Sequence, residues 1–211
     1  MQGYFSEFAG LAVIHFLAVV VPGPDFAVTV RQSVRYGRWA GICTALGIGA
    51  GISVHVIYTL LGIGALMHAT PWIMQLAKFG GGAYLIYLGV RLLRSKASAA
   101  ETAMSESTES ISQGAGMAFL TGFMTNATNP KATLFFLAVF TAVVSVTTPL
   151  TIQIFYGLWM CMVNAMWFIL VSFVFSNPII RQQFIRLGHW FERAMGAILL
   201  VFAARLLLMA A

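Results

Sequence analysis

The chain has 211 residues, of which 60% are hydrophobic and only 9% charged, where a soluble domain carries about a quarter charged side chains. That balance excludes a water-soluble globule and leaves no stretch for a separate soluble domain. The net charge of +6 is scattered in small groups between apolar runs, not gathered into the stripe that a nucleic-acid partner requires; the expected solvent is a lipid bilayer.

Six apolar segments follow one another at Phe5–Thr29, Trp39–Met67, Pro71–Leu93, Ile111–Ser145, Pro149–Ser176 and Phe184–Ala210. Each is long enough to cross about 30 Å of hydrocarbon as a helix. The first has no basic leader and ends in Pro22-Gly23-Pro24 instead of a small-residue cleavage site, so it reads as a helix and not as a signal peptide. Between the third and fourth segments, Ser95–Ser110 is rich in Ser, Ala, Thr and Glu without apolar periodicity and reads as a flexible polar linker. The expected organisation is a three-helix unit over 1–96, a cytoplasmic linker over 97–110 and a second three-helix unit over 111–211, together forming one membrane domain.

Orientation follows from the loops. Arg31, Arg35 and Arg38 follow the first segment, Arg91, Arg94 and Lys96 close the third, and Arg181, Arg186 and Arg193 flank the join between the fifth and sixth. The connections Met67–Pro71 and Ser145–Pro149 hold no lysine or arginine. Because cytoplasmic loops carry the excess of basic residues, the basic connections are expected inside the cell and both termini outside.

The two halves resemble each other. Residues Gly82–Leu93 and Gly196–Leu207 share six of twelve positions, and Pro24-Asp25 of the first segment has a counterpart in Pro130-Lys131 of the fourth. Three spans per half is an odd number, so the second half must be inverted in the membrane. The fold class expected is therefore all-α integral membrane, six transmembrane helices in a 3+3 inverted repeat, with helices 1 and 4 interrupted.

The interruptions are the chemically informative part. Pro22, Gly23 and Pro24 sit within the first apolar run, where proline removes backbone donors and glycine permits a change of direction. Asn126, Asn129 and Pro130 interrupt the fourth, with Asn-Pro suited to cap and start a new helix. Broken backbone at membrane depth survives only against protein or a wet cavity, so the breaks are expected to face each other. Half-helix N-termini present N–H donors and positive partial charge, a field suited to a carboxylate.

Asp25 and Lys131 are the ionisable residues expected nearest mid-membrane, each costing about 2.5–3.5 kcal/mol if unpaired. For Asp25 a plain alternative exists, because a carboxylate in a first helical turn stabilises the helix dipole. A cation in that position is disfavoured, so Lys131 asks for another cause. His15 and His55 could relay protons, packed hydrogen-bonded histidines being the ordinary alternative; Asn164 could bond substrate or a neighbouring helix. Gly47, Gly49 and Gly51, with Gly80–Gly82, read as close helix-packing surfaces. No spacing of His, Cys or acidic residues suggests a metal, and no cofactor motif is present.

The run Val21-Pro-Gly-Pro-Asp-Phe26, then Arg38-Trp-Ala-Gly-Ile-Cys-Thr-Ala-Leu-Gly47, Gly80–Gly89 with Arg91, and Gly122–Ala132 together resemble the LysE/RhtB family of amino-acid exporters, over nearly the entire chain. The Pro-Gly-Pro-Asp form with His15 upstream is most similar to the threonine and homoserine efflux branch. The resemblance implies a non-enzymatic secondary transporter of the bacterial inner membrane that moves small amino acids or derivatives out of the cytoplasm against protons. On that expectation Asp25 is assigned to the substrate ammonium or the coupling proton, with Lys131 and the neighbouring half-helix amides for the carboxylate; Asn126, Asn129 and His15 complete the candidate site. Rival readings are a membrane thiol carrier built on Cys43 and Cys161 and an exporter of another small solute such as a metal ion. Small-residue helix faces pack within or between protomers alike, so a homo-oligomer is compatible with the sequence.

Overall fold

A computed structural model describes residues 2–67, 71–94, 113–145 and 147–210; the polar linker 97–110 lies outside the described residues. Within them the chain is all helix: α1 Gln2–Val20, α2 Pro24–Arg35, α3 Arg38–Met67, α4 Pro71–Leu93, α5 Ala115–Ala127, α6 Pro130–Val143, α7 Leu150–Phe175 and α8 Pro178–Ala210. α7 and the Arg38–Gly62 stretch of α3 are each long and apolar enough to cross a membrane, and α1 with α2 form a third candidate bent by 52° at its break.

Helix ends follow local chemistry. α2 runs past Thr29, where the apolar run stops, to Arg35, and Gly37 at φ 87° then turns the chain, a left-handed conformation that glycine adopts without a Cβ clash. α8 starts at Pro178, ahead of the apolar boundary at Phe184, because the Asn177 side chain accepts from the Ile179 amide at 2.9 Å and proline suits the first helical position.

Polarity is arranged for lipid. Along α7, Leu150, Ile154, Leu158, Met162, Met166 and Leu170 are exposed, while Gln153, Asn164 and Ser172 are buried. The repeat of four marks one helix face, so this face is greasy outside and its polar groups bond inward, the inverse of a soluble helix. Buried Thr29, Ser33, Thr44, His55 and Asn126 follow the same rule.

Small residues set the tightest contacts. A Cβ on Gly47 would lie 2.0 Å from the Phe119 carbonyl, and one on Gly122 2.0 Å from the Thr44 carbonyl, so α3 and α5 touch backbone to backbone. Between α4 and α8, Gly196 meets the backbone of Leu93 and the Gly89 carbonyl, while Gly82 makes room for the Leu207 side chain. Gly80 has open space around it among the described residues. Elsewhere α2 is held to α7 by the Ser33 hydroxyl donating to Ser172 at 2.9 Å.

Candidate functional site

The first break lies between Val20 and Pro24, the second at Thr128 and Asn129. At the second, the Asn129 side chain accepts from the Lys131 amide at 3.0 Å and Pro130 opens α6, so the cap and the proline together start a new helix. α2 begins from Gly23 in extended conformation with no side-chain cap, and Asp25 sits in its first turn.

The breaks meet. Asn126 Nδ2 donates to Asp25 Oδ2 at 2.9 Å and Asn129 Nδ2 to the same oxygen at 3.4 Å. Lys131 reaches back across the gap, its Nζ lying 3.4 Å from where a Cβ on Gly23 would stand, and the charges of Asp25 and Lys131 act on one another. The cation disfavoured at the start of α6 is thus offset by the carboxylate at the start of α2. Two acceptors in this buried setting, Asp25 Oδ1 and Asn126 Oδ1, have no partner among the described residues, and unpaired buried acceptors point to a missing donor.

His55 supports the second break from α3. Its Nε2 is 2.9 Å from the Asn126 carbonyl and its Nδ1 is 2.8 Å from the Tyr58 hydroxyl. A carbonyl only accepts, so Nε2 donates and Nδ1 accepts from Tyr58; both ring nitrogens are satisfied, and the ring stacks on Phe136. His55 holds the end of α5 in place. Tyr84 of α4 donates to the Lys131 carbonyl at 3.1 Å and does the same for the start of α6.

Asp25, Asn126, Asn129, Lys131 and His15 line one cavity with Gly23, Pro24 and Asn164, closed by Phe26, Ile52, Phe135, Phe136 and Phe168. Its volume is about 50 Å³, several times the ~10–15 Å³ that one water needs. A wider vestibule of about 1200 Å³ adjoins it, sharing Gly23, Asn129 and Lys131 and walled by Pro22, Pro130, Tyr84, Tyr87, Arg91, Arg94 and Glu192. At the other end of α1, Glu7 accepts from the Thr148 hydroxyl at 2.9 and 3.0 Å and from the Ser145 amide.

Glu7, Glu192 and Tyr84 escaped the sequence reading. A signal existed for the two acids: the chain has six acidic residues, and outside the linker only Glu7, Asp25 and Glu192 remain, each expensive in an apolar segment without a partner.

A polar, charge-bearing cavity where two broken helices meet, inside a bundle whose outer surface is apolar, defines a multi-pass membrane transporter. The model of the LysE type translocator family matches residues 16–210, and the chain belongs to that family. It is 30% identical over 203 residues to the threonine efflux protein of Escherichia coli (strain K12), covering 95% of this chain and 97% of that one, and 29% identical with the same coverage to the threonine efflux protein of Salmonella typhi. A leucine efflux protein of Salmonella choleraesuis (strain SC-B67) is 29% identical over 133 residues, 63% of this chain and 61% of that protein. No solved structure matches.

Proposed function

We propose that this protein exports small amino acids of the threonine and homoserine kind from the bacterial cytoplasm by proton antiport, and that the cavity between the two helix breaks is its substrate site. The observation that carries the reading is the arrangement of Asp25 and Lys131, one charge of each sign, flanked by the unpaired acceptors Asp25 Oδ1 and Asn126 Oδ1. A zwitterion matches that pattern: its ammonium donates to the two free oxygens, and its carboxylate meets Lys131 Nζ and the N-terminal fields of α2 and α6.

Asp25 also supplies a coupling device. A carboxylate that binds either the substrate ammonium or a proton, but not both, ties outward movement of one to inward movement of the other. An entering proton exchanged for a neutral zwitterion contributes about 2.3 kcal/mol per 100 mV of membrane potential, apart from any pH difference.

The six-span reading treats α1 with α2 and α5 with α6 as single broken spans. α5 and α6 have 13 and 14 residues, about 20 Å each, and match the hydrocarbon only end to end. The inverted 3+3 repeat is supported by the α4–α8 interface, where Gly82 packs on Leu207 and Gly196 on Leu93: the first residue of each matched run meets the last of the other. The vestibule ends among Arg91 and Arg94, residues that the basic-loop rule assigns to the cytoplasm, with both termini outside. On this reading the structure is the inward-facing state, and rocking one repeat against the other exposes the site outward.

The thiol-carrier reading fares worse. Cys43 and Cys161 are both free. The Cys161 carbonyl faces Gly49 across the α3–α7 contact, six residues and about 9 Å of helical rise beyond Cys43, outside the roughly 7 Å Cα reach of a disulfide.

The test is export in inverted vesicles loaded from a panel of amino acids, with and without a proton gradient. Lys131→Met should abolish transport at unchanged protein level. Wild-type transport by that variant would overturn the site assignment, and no movement of any amino acid by well-inserted wild-type protein would overturn the function.

A further inference from the structure

Two polar residues of the cavity stand apart from its charged end. His15 lies on α1 ahead of the break and Asn164 on α7; they are 1% and 3% exposed. Asn164 Nδ2 is 2.8 Å from His15 Nε2 and 3.0 Å from the Met160 carbonyl. The carbonyl accepts only, which identifies this Asn164 atom as the donating NH₂, and its second hydrogen is directed to Nε2. Nε2 is therefore the unprotonated nitrogen, and the neutral imidazole carries its hydrogen on Nδ1. That N–H has no partner among the described residues.

An orphaned buried donor is rare enough to require a reason. The rings around His15 belong to Phe135, Phe136 and Trp159, with centroids 5.7–6.2 Å away. The other apolar side chains lining the cavity include Ala18, Val19, Ile52 and Phe168. The site thus has zwitterion-matching groups at the helix breaks and, ahead of the break on α1, the unpartnered N–H of His15 among aromatic rings.

We infer that His15 is the side-chain selectivity residue of the transporter, its Nδ1–H donating to a hydroxyl on the substrate, and that Asn164 positions the ring by fixing its tautomer. The inference rests on the export reading of the same cavity and adds the residue that would read the substrate's side chain, which that reading does not name.

A pocket that donates to a substrate hydroxyl rejects the isostere lacking it, because the donor is then left unpaired. Threonine and valine are such isosteres. In proteoliposomes holding the purified full chain, wild-type protein should favour threonine over valine in competition by about tenfold to hundredfold. His15→Phe, which keeps a ring and removes the donor, should bring that ratio towards one; His15→Gln, which keeps an N–H, should retain part of the preference. Equal competition by threonine and valine in the wild type would overturn the inference while leaving amino-acid export standing, and this arm needs no variant to fold. A threonine preference undiminished in His15→Phe would equally overturn the role of His15. Failure of every amino acid to compete would instead remove the export reading beneath it.

Discussion

Replacing Asp25 by asparagine separates the two roles that a carboxylate at the start of α2 can play. If Asp25 only offsets the helix dipole, asparagine at the same place forfeits about 0.3–1 kcal/mol, at most a fivefold change in any equilibrium, and transport continues. If it holds the substrate ammonium, the loss is a charge-assisted hydrogen bond of about 1.5–3 kcal/mol, a fall in affinity of roughly ten- to 150-fold. The fold also suffers, because Lys131 then faces a neutral amide and carries an uncompensated insertion cost of about 2.5–3.5 kcal/mol. Adding Lys131→Met should recover the thermal stability of the single variant without recovering transport, a coupling that a double-mutant cycle reads directly. The assay is substrate binding to detergent-purified protein by calorimetry, paired with uptake in reconstituted vesicles under an imposed pH gradient. Affinity within twofold of wild type, with gradient-driven transport intact, would refute the placement of the ammonium on Asp25 and its role in coupling.

Other substitutions probe the scaffold around the site. Gly122→Leu forces a side chain into a space where even a Cβ would lie 2.0 Å from the Thr44 carbonyl; it should separate α3 from α5 and lower the thermal midpoint sharply, and an unchanged melting curve would contradict the backbone contact. Asn129→Ala removes the cap of α6 and one of the two amides on Asp25. It should cost about 0.5–2 kcal/mol of stability and weaken substrate binding as well, both read on one purified sample. Cys43→Ser with Cys161→Ser should leave transport within twofold of wild type; loss of transport in that folded variant would revive thiol chemistry. Glu7→Ala removes the acceptor of the Thr148 hydroxyl and the Ser145 amide and should raise the reactivity of a cysteine introduced at Ser145 towards a membrane-impermeant maleimide.

The membrane class of this chain and the positions of its breaks were legible in one dimension, because both depend on local quantities: the apolar fraction of a window, and the loss of donors and freedom of direction at Pro22, Gly23, Pro24 and Pro130. The resemblance to an exporter family was likewise carried by contiguous motifs. What only the tertiary structure decided is which polar groups lack partners, since that depends on distances between helices far apart in sequence. Asn126 and Asn129 crowd one oxygen of Asp25 and leave the other bare. His55 and His15 look alike along the chain, yet one is satisfied by Tyr58 and Asn126 and the other keeps an unpaired N–H beside Asn164. In an apolar chain with few charges, composition determines the solvent, and packing determines where the remaining polar atoms are left without a partner.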